Sequence, residues 1–192
     1  MLRFIYGVMG SSKSAQALMT KFNYEQNGFE VVLLKPSIDT RSEEVASRIG
    51  LKAKCKHIKP ADNLLEMSLV KNWFDRKIIV IVDEAQFCTR KQINQLKRIS
   101  EYFDVFCYGL KTNFKSELFE GSKRLLEIAD SVEQIHHICK CGKPAEVSAR
   151  FVDGKVALDG EEVQIGDTEY KPLCYKCWEK ELENVENFEN IL

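Results

Sequence analysis

Residues 7–14, Gly7-Val8-Met9-Gly10-Ser11-Ser12-Lys13-Ser14, stand between a strand-like segment, Leu2-Arg3-Phe4-Ile5-Tyr6, and a helical stretch over 15–26. The string departs at one position from G-x-x-x-x-G-K-[S/T]: Ser12 stands where the last glycine belongs. Strand, tight loop and helix N-terminus in this order make an anion cradle. Backbone N–H groups converge on the ligand and the helix dipole favours negative charge. In such a cradle Lys13 reaches the β- and γ-phosphates of a nucleotide, and the Ser14 hydroxyl sits on magnesium. Gly7, Met9, Gly10, Ser11 and Ser12 form the wall around them. A serine with φ > 0 at position 12 would carry strain that glycine avoids. Short strings of this kind also arise by chance, so the loop alone leaves both readings open.

The rest of the chain narrows the choice. An apolar run, Ile78-Ile79-Val80-Ile81-Val82, fits a strand buried on both faces of a parallel sheet. Residues 29–35, ending before Pro36, and 104–108 read as further strands. Residues 63–74 and 90–101 read as helices with apolar positions at helical spacing. Alternation of this kind argues an α/β fold, a parallel sheet with helices on both faces. From Ile138 to Pro172 the texture changes to short alternating segments with Gly142, Gly154, Gly160 and Gly166, which predict small antiparallel strands. The expected units are therefore 1–137, carrying the phosphate loop, and 138–192, ending in an acidic tail.

The apolar run ends in Asp83-Glu84-Ala85-Gln86-Phe87. Acidic residues at the C-terminal end of a central strand lie where open α/β sheets bind ligands. Asp83 is placed to hold magnesium opposite Ser14, with Glu84 facing the group that attacks the γ-phosphate. The bland alternative is a polar cap on a buried strand. Asp39 and Arg41 follow the second strand. Asp39 is a candidate for a metal-bound water or a hydroxyl, and Arg41 for the charge on a transferring phosphoryl group.

Cys139-Lys140-Cys141 and Cys174-Tyr175-Lys176-Cys177 are two close pairs among seven cysteines. Four thiolates satisfy tetrahedral zinc, and a closed Cys₄ site is structural. His136 and His137 are alternative ligands, and unlinked thiols are the plain reading. The odd cysteine count and the pairing favour metal in a reducing compartment over disulfides. With 28 basic and 29 acidic residues the chain shows no polyanion-binding stripe. No stretch approaches the ~18 apolar residues of a membrane span, and the opening residues are strand-like, unlike a signal peptide.

The ordered set of phosphate loop, Asp39-x-Arg41, Val82-Asp83-Glu84-Ala85-Gln86-Phe87, Tyr108-Gly109-Leu110-x-Thr112-x-Phe114, Phe119-x-Gly121-Ser122 and cysteine pairs resembles the zinc-containing cytosolic type of thymidine kinase. The resemblance runs from about Leu2 to Trp178, and Ser47-Arg48-Ile49-Gly50 looks like its enterobacterial branch. It implies transfer of the γ-phosphate of ATP to the thymidine 5′-hydroxyl, with Glu84 as base, Arg41 near the phosphates, and Lys13, Ser14, Asp39 and Asp83 around phosphate and Mg²⁺. Gln86 belongs to the same nucleotide motif. Met9, Phe87, Leu110, Phe114, Phe119, Ser148 and Tyr170 match the thymine pocket. The segment between the cysteine pairs resembles a lasso loop that closes over the base, its ends held by zinc. Cytoplasmic location, nucleotide salvage and a homotetramer without nucleic-acid or membrane partners follow as implications. Zinc loss is then expected to harm thymidine handling more than ATP binding. Two departures stand out: Val8 for the family's proline and Ser12 for its glycine. Two other readings remain at this point, a zinc-ribbon ATPase acting on nucleic acid and a catalytically silent homologue.

Overall fold

A computed structural model of the chain describes residues 1–37, 43–66, 77–160 and 169–185. The first unit is a six-stranded sheet of β1 (Leu2–Tyr6), β2 (Glu30–Pro36), β5 (Lys56–Ile58), β6 (Ile78–Val82), β7 (Asp104–Gly109) and β8 (Ser131–Gln134). Its order is β5-β2-β6-β7-β1-β8 and every pair is parallel. β3 (Glu44–Ala46) and β4 (Lys52–Lys54) form a separate antiparallel hairpin.

Period-two packing explains why the apolar run becomes the central strand. Ile78, Val80 and Val82 face one core with Ile93, Leu96 and Ile99 of α2 (Arg90–Ile99) and Leu125 of α3 (Glu120–Ile128). Ile79 and Ile81 face the other, with Ala17 and Leu18 of α1 (Lys13–Gln26). Both faces are therefore covered and all five residues are buried. α2 starts sharply because Thr89 and Gln92 form a reciprocal capping box. Pro36 closes β2 instead of standing beyond it. The proline has no N–H to give, and the ladder ends there, with Ser37 N–H donating to Ile58 O at 2.9 Å. The helix expected over 63–74 falls mostly on 67–76, outside the described residues; 63–66 make a turn with Leu64 buried.

The second unit is a small antiparallel sheet, β10-β9-β11, from β9 (Val147–Val152), β10 (Lys155–Val156) and β11 (Glu169–Leu173), backed by α4 (Tyr175–Glu183). Its core contains Val147, Ala149, Phe151, Leu173, Trp178 and Leu182, and Val8 from the phosphate loop. One residue of the first unit is thus built into the core of the second. Among the described residues no helix is long and apolar enough to cross a membrane.

Candidate active site

The loop after β1 is held by bonds within the chain. Gly7 N–H donates to Gly109 O at 3.3 Å, and Ser11 N–H to Val8 O at 3.2 Å. A Cβ on Gly7 would stand 2.4 Å from Ser11 Oγ, so only glycine fits there. Gly10 has φ +83° and Ser12 has φ 64°, ψ 22°. Ser12 is exposed, caps α1 from the left-handed region and makes no side-chain cap bond, while Gln16 N–H donates to its carbonyl at 3.0 Å. The lost glycine leaves its backbone conformation behind, occupied by a residue that pays for it.

Lys13 is buried and its ammonium donates to Val8 O at 2.8 Å. Desolvation lowers its pKa, and the nearby Glu84 and Asp83 carboxylates oppose that drop. The Asp83 side chain hydrogen-bonds Ser14, joining the end of β6 to the start of α1. Burial, and then repulsion by Glu84, push the Asp83 carboxyl up to about 6.

β7 lies between β1 and β6, so the two halves of this site must meet across an intervening strand. That strand ends in Gly109. A Cβ there would stand 2.6 Å from Gln86 Oε1. The glycine lets Gln86 pass under the loop, where its Oε1 accepts from Leu110 N–H at 3.0 Å and its Nε2 donates to Glu84 Oε2 at 2.6 Å. Glu84 itself has φ 56°. A left-handed glutamate is uncommon, and the adjoining 3₁₀ turn (Ala85–Phe87) starts from it. Gly121 of α3 touches this turn; a Cβ there would stand 2.6–2.8 Å from the carbonyls of Ala85, Gln86 and Cys88.

A cleft of about 200 Å³ collects Met9, Gly10, Ser12, Lys13, Ser14, Glu84 and Leu110 with Ala46–Ile49 of the hairpin tip. Asp83 and Gln86 are buried behind it. Phe87 and Phe119 pack edge to face at 5.5 Å, and Phe114 lies under the Arg150 guanidinium at 3.7 Å. Tyr170 is half-buried on β11, opposite Arg150 in the ladder. Ser148 is buried, and its Oγ accepts from Met9 N–H at 2.9 Å. It therefore grips the phosphate loop. Asp39, Arg41 and the segment Ile165-Gly166-Asp167 lie outside the described residues.

Cys139, Cys141, Cys174 and Cys177 bring their four sulfurs within 4.8 Å of one another. Cys139 and Cys141 flank a tight turn closed by Gly142 N–H to Cys139 O at 2.9 Å; Cys174 and Cys177 open α4. Burial raises the Cys139 thiol, but hydrogen bonds from the N–H groups of Cys141 and Cys174, together with those to the Cys141 and Cys177 thiols, bring it down to about 7. Cys177, hydrogen-bonded first to Cys141 and then to Cys174, is pushed up to about 12. Four sulfurs this close cannot all ionise unaided. A divalent cation resolves the conflict, and a soft S₄ set suits zinc. His136 and His137 are not needed as ligands.

Sequence reasoning passed over Arg48 as a site residue, although it lines the cleft. Its one signal was a Ser-Arg-Ile-Gly string. Gln86 acts by wedging two chain segments together, which no local pattern reveals.

Comparison with known proteins agrees with this chemistry. The family description "Thymidine kinase" matches residues 1–178. The chain is 42% identical over 185 residues to the thymidine kinase of Enterobacteria phage T4, covering 92% of this chain and 94% of that protein. It is 41% identical over 179 residues to that of Rhodopirellula baltica, covering 90% and 85%. It is 41% identical over 181 residues to that of Lactococcus lactis, covering 91% and 95%.

Proposed function

This chain belongs to the thymidine kinase family, and from that premise we propose how its residues divide the phosphorylation of thymidine. ATP gives up its γ-phosphoryl group. The thymidine 5′-oxygen bonds to the γ-phosphorus as the bond to the β–γ bridging oxygen breaks. Glu84 takes the hydroxyl proton, and ADP and dTMP result. The Gln86 amide occupies one oxygen of Glu84, so the other remains for the substrate hydroxyl. The observation that carries this reading is the cleft that Glu84 and Lys13 share with Met9 and Leu110: base and phosphate-binding cation face one space with apolar side chains beside it.

Lys13 trades its bond to Val8 O for the phosphates. Ser14 and Asp83 already touch and offer hard oxygen donors that suit Mg²⁺, which when bound neutralises charge on the phosphates. Asp39 joins that group and Arg41 faces the transferring phosphoryl. Met9 and Leu110 hold the base directly, and Phe114, Phe119, Phe87 and Tyr170 form the wall behind. Ser148 serves this pocket through Met9. Zinc on the four cysteines has no open coordination position and supplies structure only. It would hold together the two ends of a lasso in unit 138–192, beside the loop-bearing unit 1–137.

The protein acts in the cytoplasm in nucleotide salvage, supplying DNA synthesis, and assembles as a homotetramer. Light scattering of zinc-replete protein tests the assembly; a concentration-independent monomer contradicts it. Incubation with ATP, Mg²⁺ and thymidine should release ADP and dTMP, with deoxyuridine a second acceptor. Absence of nucleoside-dependent ADP release across thymidine, deoxyuridine and deoxycytidine would remove the proposal.

A further inference from the structure

The β3–β4 hairpin delivers one cation to the phosphate loop. Val45 of β3 is buried with Ala17 and Leu18 of α1, which pins the hairpin to the helix that Lys13 begins. Its tip is fixed by its own bonds: Ser47 N–H to Leu51 O at 2.8 Å, Leu51 N–H to Ser47 Oγ at 3.0 Å and Gly50 N–H to Ser47 O at 3.1 Å. Gly50 takes φ +88° to close the turn. Arg48 sits at that tip. It lines the cleft together with Lys13, Ser14 and Glu84. Its Nη1 lies 3.6 Å from where a Cβ on Gly10 would stand.

The two cations on this cleft differ in freedom. Lys13 is buried and committed to Val8 O. Arg48 is exposed and, among the described residues, makes no hydrogen bond or ion pair. Its charge reaches Lys13 and disfavours the ammonium there. Two cations facing one space repel, and a polyphosphate between them turns that repulsion into a double attraction. Arg48 lines the same cleft as Glu84, the group that the kinase reading turns toward the acceptor. A terminal phosphoryl group presented to Glu84 would therefore lie in the same cleft as the Arg48 guanidinium.

We infer that Arg48 is a further catalytic residue, a hairpin-borne guanidinium that grips the terminal phosphoryl group of the nucleoside triphosphate. The inference rests on the kinase reading above. A planar fork of N–H donors matches phosphate oxygens in pairs, which an ammonium does not. Such a residue distinguishes three phosphates from two, and its grip must loosen once the phosphoryl group has left.

The test uses full-length, zinc-replete protein and two variants, Arg48→Met and Arg48→Lys, with circular dichroism as folding control. Calorimetric titration with a β,γ-imido analogue of ATP, and separately with ADP, both with Mg²⁺, reads the discrimination. Arg48→Met should lose roughly ten- to hundredfold affinity for the triphosphate analogue, the span expected for a charge-assisted contact. ADP affinity and thymidine KM should stay within about twofold, a difference too small to represent a lost charge-assisted contact. Arg48→Lys should recover part of the triphosphate affinity but less of kcat. Equal losses for both nucleotides, or no loss for either, overturn the assignment. Wild-type turnover of thymidine in the same series tests the kinase reading separately. An active wild type matched by Arg48→Met in affinity and kcat removes only the role of Arg48, and the binding titrations decide that role even without turnover.

Discussion

Replacing Asp83 by Asn should stabilise the fold while disabling the enzyme. Asp83 is 3% exposed and borders Glu84, and its carboxyl is pushed up to about 6 from an ordinary 3.8. The folded protein therefore keeps the proton where the unfolded chain has released it, between about pH 4 and 6. Stability falls as the pH rises across that window, and the loss is complete above it. At ~1.4 kcal/mol per pH decade, holding this carboxylate ionised at neutral pH costs about 3 kcal/mol. Asn keeps the size and the hydrogen bond toward Ser14 without the charge. The shift already includes every attraction the carboxylate feels, so about 3 kcal/mol is the upper bound and about 2–3 kcal/mol the expected gain. For a chain of this length that is a rise in Tm of roughly 4–12 °C. Thermal melts of wild type and Asp83→Asn at about pH 7.5 and about pH 4 measure it, because the difference must shrink as the folded carboxyl takes up its proton. In parallel, Mg²⁺-dependent phosphoryl transfer should collapse. A variant destabilised at neutral pH, or a gain that persists undiminished in acid, would refute the reasoning.

Glu84→Gln should cut kcat by roughly 10²–10⁴-fold with ATP still bound, as expected for loss of a general base; unchanged turnover would assign the proton to another group. Ser12→Gly removes about 1–2 kcal/mol of left-handed strain but adds about 0.4–1 kcal/mol of unfolded-chain entropy. Because the loop's own bonds impose that conformation, the gain belongs to the fold. Tm should rise by up to about 6 °C, and ATP affinity should barely move. A large affinity gain without a Tm gain would place the strain in the bound complex instead. Zinc removal, or Cys174→Ser, should weaken ATP binding as well as thymidine binding, because Val8 and Met9 are anchored in the zinc-bearing unit. Paired titrations on metal-replete and metal-poor protein check this, and intact ATP affinity after zinc loss would show that the anchor holds without the metal.

Elements whose burial shows in the local pattern were legible. Ile78–Val82 announces itself as an unbroken apolar run because both faces are covered, and the cysteine pairs carry their chemistry in their spacing. β8 was missed because it is an edge strand: Glu133 and Gln134 face solvent and only its backbone belongs to the sheet. β3, β4 and β5 have three residues each, too few to set a period. At the candidate site, motif and position pointed to Lys13, Ser14, Asp83 and Glu84, and the fold brings three of them to one cleft with Asp83 bonded to Ser14 behind it. Gly109 was visible as a letter, but its reason is the Gln86 side chain passing beneath it, 23 residues away in sequence. For Ser148 the structure adds a contact that no motif carries: its hydroxyl accepts from Met9 N–H across 139 residues. Such long-range polar contacts have no periodic signature. Arg48 was hidden because a single arginine in a polar turn looks like any solvated arginine until the fold shows what it faces.

Val8 has a consequence for the order in which this chain matures. The ribosome makes the phosphate-binding segment first, yet the apolar bed that receives Val8 is assembled from Val147, Leu173 and Trp178, all translated much later. The nascent chain emerges at about 5–20 residues per second, so the nucleotide site waits on the order of ten seconds or more for its seat. A product that terminates before Cys139 carries every phosphate-binding letter and still lacks the partner that seats the loop.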